Sequence, residues 1–165
     1  MSDHTDTASV SIRRARPDDI GRIGELLRQV NLVHHNGRPD IFRLSRKYTD
    51  EELTEVINKG EAPIFVAVDA RGLVTGYAFV QFQVVSGDNM LMDRKTLYVD
   101  DICVDETARG TGTGRSLYEH VKAFAREEGC YNITLRVWGC NPGARSFYES
   151  MGMDVQATMM EEILR

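Results

Sequence analysis

The sequence predicts a mixed α/β (α+β) domain, with one sheet flanked by helices on both faces. Three observations carry this. Period-two apolar segments alternate with period-3.6 segments; the middle of the chain reads as consecutive strands joined by tight turns; and a glycine-rich loop near residue 110 links a buried strand to an amphipathic helix. No repeat, low-complexity tract or linker divides the 165 residues. A single domain over residues 9–165 is therefore expected, with residues 1–8 as a disordered polar tail.

The elements follow in order. Ser9 to Arg14 alternates and reads as a strand. Pro17-Asp18-Asp19 opens a helix, because proline suits the first turn and acids suit the positive end of the dipole. Ile20, Ile23, Leu27 and Val30 give that helix one apolar stripe, which ends near His34 and His35 before Asn36-Gly37 and Pro39. Thr49-Asp50-Glu51-Glu52 is a capping box, with Leu53, Val56 and Ile57 behind it and Gly60 as the stop. Strands are predicted over Ile64–Asp69, Leu73–Val85, Leu97–Val104 and Ile133–Trp138, and a final one over Met153–Ile163. Helices are predicted over Ser116–Glu128, which carries Leu117, Val121 and Phe124, and over Pro142–Met151.

Composition narrows the function classes. The chain is 42% hydrophobic and 27% charged, ordinary for a globular protein. Its net charge of −5 argues against nucleic acid as a partner and suits a cationic acceptor such as an amine. No apolar run reaches the ~18–20 residues that cross a bilayer, so no membrane association is expected. Cys103, Cys130 and Cys140 form no CxxC pair, which argues for a reducing, cytoplasmic compartment and against a zinc site. His34 and His35 are adjacent on a helix and point in different directions, so no metal is expected there.

Residues 104–114 carry the strongest local signal. Gly110, Gly112 and Gly114 alternate between a strand and a helix N-terminus, where glycines let backbone N–H groups approach an anion. Arg109 adds a cation, and a pyrophosphate fits such a cradle. No Gly-Lys-Ser/Thr ends the loop, which excludes a P-loop, and GxGxG late in the chain fits a dinucleotide fingerprint poorly. Taken alone, the loop also reads as a flexible connection.

Arg109-x-x-Gly112-x-Gly114 resembles the R/Q-x-x-G-x-G/A signature of the GNAT superfamily of N-acetyltransferases. Asn141 to Met153 is similar to that superfamily's N-x-x-A-x-x-F-Y-x-x-x-G-F motif, with Met153 in place of the usual phenylalanine. The resemblance is strong over Leu97–Met153 and weaker elsewhere. It implies a mostly antiparallel sheet of six to seven strands that splays between the fourth and fifth, with acetyl-CoA as cosubstrate in the opening. The pantetheine arm would lie along Ile102, Cys103 and Val104, and the pyrophosphate would meet Arg109 and the amides of Gly110, Thr111, Gly112, Thr113, Gly114 and Arg115. Asn141 matches an asparagine that contacts the pantetheine region.

Acetyl transfer to an amine needs a route for the amine proton, because a lysine-like amine is neutral in only ~1 molecule in 2,500 at pH 7. Tyr148 matches the family tyrosine that faces the coenzyme A sulfur and is the candidate acid. The stretch Tyr98 to Val104 is similar to a strand of spermidine/spermine N-acetyltransferases, which makes Asp100 the candidate base. Strand alternation puts Asp101 on the opposite side from Asp100, unless a bulge upsets the parity. Cys103 reads as a buried apolar residue rather than a nucleophile. Residues 33–42 resemble an HHxxRPDxF stretch bordering the acceptor site in some bacterial members, so His35 and Asp40 are candidate substrate contacts; Asp101, the other carboxylate beside Asp100, is a candidate for either base or substrate contact. The expected activity is acetylation of a small-molecule primary amine in a ternary complex. Acetylation of a protein or peptide, and an acetyl-CoA-binding sensor without turnover, are the alternatives. A homodimer is also expected, with Val155 to Met160 covering an edge or pairing across subunits.

Overall fold

The computed structural model describes residues 9–164, and the expected disordered tail at 1–8 lies outside them. One sheet holds five strands in the order β1 (Ser11–Arg14), β2 (Ile64–Val68), β3 (Val74–Val85), β4 (Arg94–Val104) and β5 (Asn132–Leu135). The first four run antiparallel, and β5 runs parallel to β4. Every residue of β2 is buried, as expected for a strand covered on both faces.

Alternation along the strands feeds two cores. Helices α1 (Ile20–Gly37) and α2 (Asp50–Lys59) cover one face, where Ile23, Leu26, Leu27 and Leu53 pack on Val66, Tyr77 and Phe79. Helix α3 (Thr113–Glu127) covers the other, with Leu117 and Val121 against Phe65, Ala78, Val80, Leu97 and Val99. Helix α4 (Pro142–Ser150) adds Tyr148 beside Tyr118 and Met151.

The helix ends follow local chemistry. In α2 the Glu52 amide donates to Thr49 Oγ1 at 3.2 Å and the Thr49 amide donates to Glu52 Oε2 at 2.8 Å, the reciprocal pair that the sequence predicts. Gly60 stops the helix at φ 65°. Before α1, the buried Asp19 carboxylate accepts from the Arg16 amide at 2.7 Å and from both Arg13 terminal nitrogens at 2.7 and 3.0 Å. Burial opposes its ionisation, but Arg13 and Arg16 together outweigh burial and hold its pKa below the usual range.

Three expectations need correction. Residues 153–163 form no strand, so the described sheet has five strands rather than six to seven. A strand exists only within a ladder, and past the Met153 amide, which donates to the Tyr148 carbonyl at 3.1 Å, no backbone partner for these residues is present among the described residues. The fifth strand ends at Leu135 rather than Trp138, because β5 turns away from β4 there. The first helix also runs on to Gly37, past His34 and His35.

β3 and β4 approach closely near the C-terminal end of β4. A Cβ added at Gly76 meets the Cys103 carbonyl oxygen at 2.9 Å, and backbone cannot yield as a side chain does. We expect Gly76→Ala to destabilise the protein by about 1–3 kcal/mol. Urea unfolding should show a lower midpoint with an unchanged slope; an unaltered midpoint would mean that the strands separate freely here.

Candidate functional site

β4 and β5 share four paired positions, Thr96–Asn132 to Val99–Leu135, and then part. Beyond Val99, β4 keeps its pairing with β3 but offers an unpaired edge toward β5, over Asp100 to Val104. This is the splay that the resemblance implies. Ile102, Leu135, Val137 and Phe147, all partly buried, pack around the buried Tyr118, Tyr148 and Met151 on this side of the sheet.

A bulge at the mouth of this opening sets its chemistry. Phe79 lies opposite Asp101 while the next residue, Val80, lies opposite Val99, so Asp100 is the extra residue of β4. Leu97 and Val99 therefore face α3, whereas Cys103 faces α1. The bulge also brings both carboxylates to the α1 side, against the simple alternation expected for Asp100 and Asp101. The Tyr48 hydroxyl donates to Asp100 Oδ2 at 2.6 Å, and Lys47 Nζ lies 2.8 Å from the same oxygen. The Tyr77 hydroxyl donates to Asp101 Oδ2 at 3.1 Å. Burial pushes the Asp101 carboxyl up to about 6, against the opposing pull of Lys47 and Tyr77.

Tyr148 is buried beside Tyr118 and Met151, near enough to Asp101 to sense its charge. Burial raises its hydroxyl pKa well above the ordinary value, and the Asp101 charge raises it further, so the group stays protonated. Cys103 is an unsuitable nucleophile: its thiol points to the Leu26 carbonyl oxygen at 3.6 Å, and burial pushes it up to about 12.

The glycine-rich loop is pinned at its start. Asp105 is buried and accepts from the Thr107 hydroxyl at 2.5 Å, the Thr107 amide at 2.8 Å and Gln29 Nε2 at 3.1 Å, and it pairs with Arg22. The Thr107 hydroxyl leads in holding its carboxyl far below the usual range, with the Thr107 amide, Gln29 and Arg22 adding to the effect. Arg22 Nε also donates to the Val74 carbonyl at 3.0 Å, which ties helix, sheet and loop together. Gly110 and Gly112 then adopt φ of 76° and 87°, which L side chains rarely take, with no atom within 4 Å of a built Cβ. Gly112 caps α3 without any side-chain bond, leaving the first amides of the helix for a ligand. Gly114 sits 3.4 Å from the Phe147 ring by its built Cβ, so α3 starts directly against α4. Arg109 is exposed at the lip, its Nε donating to the Val104 carbonyl at 3.3 Å. An anionic, phosphate-bearing group fits this cradle of free amides, open glycines and one cation.

Asn141 caps α4 by accepting from the Ala144 amide at 3.2 Å. Its neighbour Cys140 lies against Gly37, so the turn after β5 closes on the end of α1. An aromatic wall stands there: Trp138 meets Phe42 edge-on at 4.8 Å, and Phe42 stacks on His34 at 5.0 Å. Burial lowers the pKa of His34, as does the charge of Lys47, which carries the wall to Asp100. The two acceptor candidates from this region are engaged locally. A ring nitrogen of His35 bonds the Phe42 carbonyl at 2.7 Å, and Asp40 is forked by Arg38 at 2.8 and 2.9 Å.

Sequence reasoning missed Tyr48, Lys47, Tyr77, Trp138 and the Arg22–Gln29 clamp. Lys47-Tyr48 falls in a connection without a motif, and Arg22 reads as an ordinary helix cation. Only Trp138, the sole tryptophan, carried a signal, placed as it is just past a strand.

Comparison with known proteins agrees with this geometry. Residues 32–153 match the model of the acetyltransferase (GNAT) family. A probable glucosamine 6-phosphate N-acetyltransferase of rice is 32% identical over 94 residues, 57% of this chain; the chain spans about half of that relative, 52%. A thialysine N-epsilon-acetyltransferase of Bos taurus is 27% identical over 155 residues, covering 88% of this chain and 84% of the relative. A peptidyl-lysine N-acetyltransferase of Escherichia coli is 31% identical over 153 residues, covering 88% and 83%. Among solved structures, a multiply substituted form of the BH1408 protein of Bacillus halodurans superposes with a TM-score of 0.89. It is 31% identical, over 93% of this chain and 99% of that one.

The raised pKa of Asp101 has a consequence for stability. A carboxyl raised in the folded state favours folding fully below its unfolded pKa, and that contribution is lost as pH rises through about 6. Asp105, held far below the usual range, does not titrate in this window. Thermal melts of Asp101→Asn against wild type should show a difference that moves in the variant's favour from pH 4.5 to 7.5. A difference that stays flat would place Asp101 in an ordinary aqueous environment.

Proposed function

Because the chain belongs to the GNAT acetyltransferase family, we propose that it transfers the acetyl group of acetyl-CoA to the primary amine of a small cationic molecule, by direct attack in a ternary complex. The observation that carries this reading is the pair of carboxylates that the Asp100 bulge turns toward one mouth, beside the point where β5 parts from β4.

The acetyl thioester supplies the electrophilic carbonyl. Arg109 and the amides from Gly110 to Arg115 hold the pyrophosphate, and the unpaired edge of Ile102 to Val104 receives the pantetheine arm as an added strand would. Asn141, its Oδ1 engaged at the helix cap, keeps an amide NH₂ for the same arm. A strand N–H near Ile102 or Cys103 faces the developing oxyanion.

Asp101 takes the amine proton. A group near 6 is ionised at neutral pH yet basic enough to receive a proton. Asp100, the base expected from the sequence, already accepts from Tyr48 and Lys47, so its role is to attract and orient the cationic acceptor. Tyr148 donates its O–H to the departing sulfur. The wall of His34, Phe42 and Trp138 packs against the acceptor's aliphatic chain, with a cation–π contribution from the indole.

Two relatives that match 88% of this chain are named for lysine-like amines, which supports a lysine-like acceptor. The bovine and Escherichia coli proteins are named for thialysine and peptidyl-lysine, which differ in whether the amine sits on a free molecule or a chain. Peptidyl lysine is therefore the second reading. Thiol release from acetyl-CoA, measured across lysine, thialysine, polyamines, glucosamine 6-phosphate and lysine peptides, separates the two. Absence of turnover with every amine, despite acetyl-CoA binding, would leave a binding module rather than an enzyme.

Four variants test the assigned roles. Acetyl-CoA should raise the wild-type melting temperature, and Gly112→Val should abolish the rise, because valine strains a positive φ and crowds the cradle. Tyr148→Phe should lower kcat by ~10²-fold or more while leaving that thermal shift intact. In wild type kcat/KM should fall below pH about 6, where Asp101 takes up a proton. Asp101→Asn should lose that limb, whereas Asp100→Asn should keep it and raise KM. The reverse pattern would return the base to Asp100.

A further inference from the structure

One amine already stands at the mouth where an acceptor's amine must bind. Lys47 Nζ lies 2.8 Å from Asp100 Oδ2 and donates to the Asp100 carbonyl at 3.2 Å, so it holds both side chain and backbone of the bulged residue. Against the burial that raises Asp101, the Lys47 charge pulls its carboxyl down; burial and then the same charge lower His34. The ammonium is thus within electrostatic reach of both the base and the aromatic wall. An acceptor's amine has to meet the same carboxylates, with its chain along the same wall.

The connection that carries Lys47 is pinned on both sides. Upstream, the Ser45 amide donates to Asn31 Oδ1 at 2.8 Å and Arg46 pairs with Asp50 at 2.7 Å. Downstream, Tyr48 stacks on Phe79 at 5.1 Å, donates its hydroxyl to Asp100 Oδ2 at 2.6 Å, and precedes the Thr49 cap of α2. The backbone is fixed, whereas the flexible four-carbon stem ends in an ammonium on a side chain 41% exposed. Such an amine is tethered beside the carboxylates and needs no encounter to react. The other three lysines of the chain are placed differently: Lys59 pairs with Glu55, Lys95 with Glu128 and Lys122 with Glu119. Their partners are surface glutamates rather than carboxylates of the opening.

We propose that, given the acetyl transfer assigned to this opening, Lys47 is itself an acetyl acceptor, acetylated in cis from the acetyl-CoA held by its own chain. The Lys47 ammonium gives one proton to Asp101, which passes it to solvent. The neutral nitrogen attacks the thioester carbonyl, so a C–N bond forms and the C–S bond breaks. Tyr148 gives its proton to the departing thiolate and is restored by the proton that the nitrogen sheds. The products are a neutral amide on Lys47, free coenzyme A and one released proton. The modified side chain no longer carries the charge that pairs with Asp100, which leaves that carboxylate to an external cation.

Protein shown by intact mass to carry no acetyl group is incubated with acetyl-CoA and no added amine. It should gain one acetyl group and release one equivalent of thiol, with peptide mapping placing the group on Lys47. The rate constant should be independent of protein concentration, as a step within one chain requires. Acetic anhydride gives the purely chemical order of labelling, in which Lys59, 67% exposed, should lead; acetyl-CoA should put Lys47 first. Asp101→Asn should slow labelling of Lys47 by about 10²-fold or more, and Gly112→Val should abolish it. Labelling led by Lys59, labelling undiminished in either variant, or a rate constant that rises with protein concentration would overturn the proposal. Turnover of an added amine with Lys47 unmodified would overturn it and leave the functional reading standing. Acetylation of Lys47 alone would uphold it and remove the external acceptor. No acetylation of either, with acetyl-CoA bound, would sink both.

Discussion

At Asp100 the β4 strand carries one residue more than β3 opposite it, and the rest of the candidate site depends on that extra residue. Before it, odd-numbered β4 residues face α3; after it, they face α1. Without the bulge, Asp101 would continue the series of Leu97 and Val99 into an apolar core, where an ionised carboxylate is very costly. With it, Asp101 reaches the hydroxyl of Tyr77, and Asp100 reaches Tyr48 and Lys47. The same displacement occurs one position past Val99, where β5 lets go of β4. Inversion of the faces and opening of the sheet are therefore neighbouring consequences of one irregularity.

A second constraint holds the glycine-rich loop without filling it. Glycines at positive φ cost conformational entropy on ordering, and nothing packs against Gly110 or Gly112 to offset that cost. The compensation lies just upstream. Asp105 gathers the Thr107 hydroxyl and amide, Gln29 and Arg22, and Arg22 bonds on to the Val74 carbonyl. A buried carboxylate is tolerated because so many donors meet it, and breaking such a set costs more than its assembly gains. The clamp fixes where the loop begins while leaving its amides free, the combination a phosphate cradle requires.

Much of this was legible in the sequence, for identifiable reasons. Capping at Thr49 and Glu52, the glycine alternation and the Asn141–Tyr148 spacing are local patterns, and local chemistry fixes their outcome. The bulge was not legible, because it depends on the register of β3 against β4, which neither strand encodes alone. For the same reason Asp100 and Asp101 looked like alternatives when in space they are neighbours. Tyr48, Trp138 and Arg22 come from segments far apart in sequence that meet only once the sheet has formed. The final strand was misread in the opposite sense: residues 153–163 have the right alternation, but a strand needs a partner, and composition does not say whose.

β5 joins these themes. It is four residues long, with one edge paired to β4 only where the sheet has yet to open. The turn that follows it carries Trp138 to the aromatic wall and Cys140 to Gly37, so the position of β5 fixes the far side of the acceptor region. A strand this short, held on one edge, is weakly determined, since its ladder supplies few of the bonds that restrain tilt. Pairing along its outer edge would stiffen it without touching any residue of the opening. The placement of a four-residue strand at the margin of the opening thus makes its outer edge as much a part of the site's geometry as its inner one.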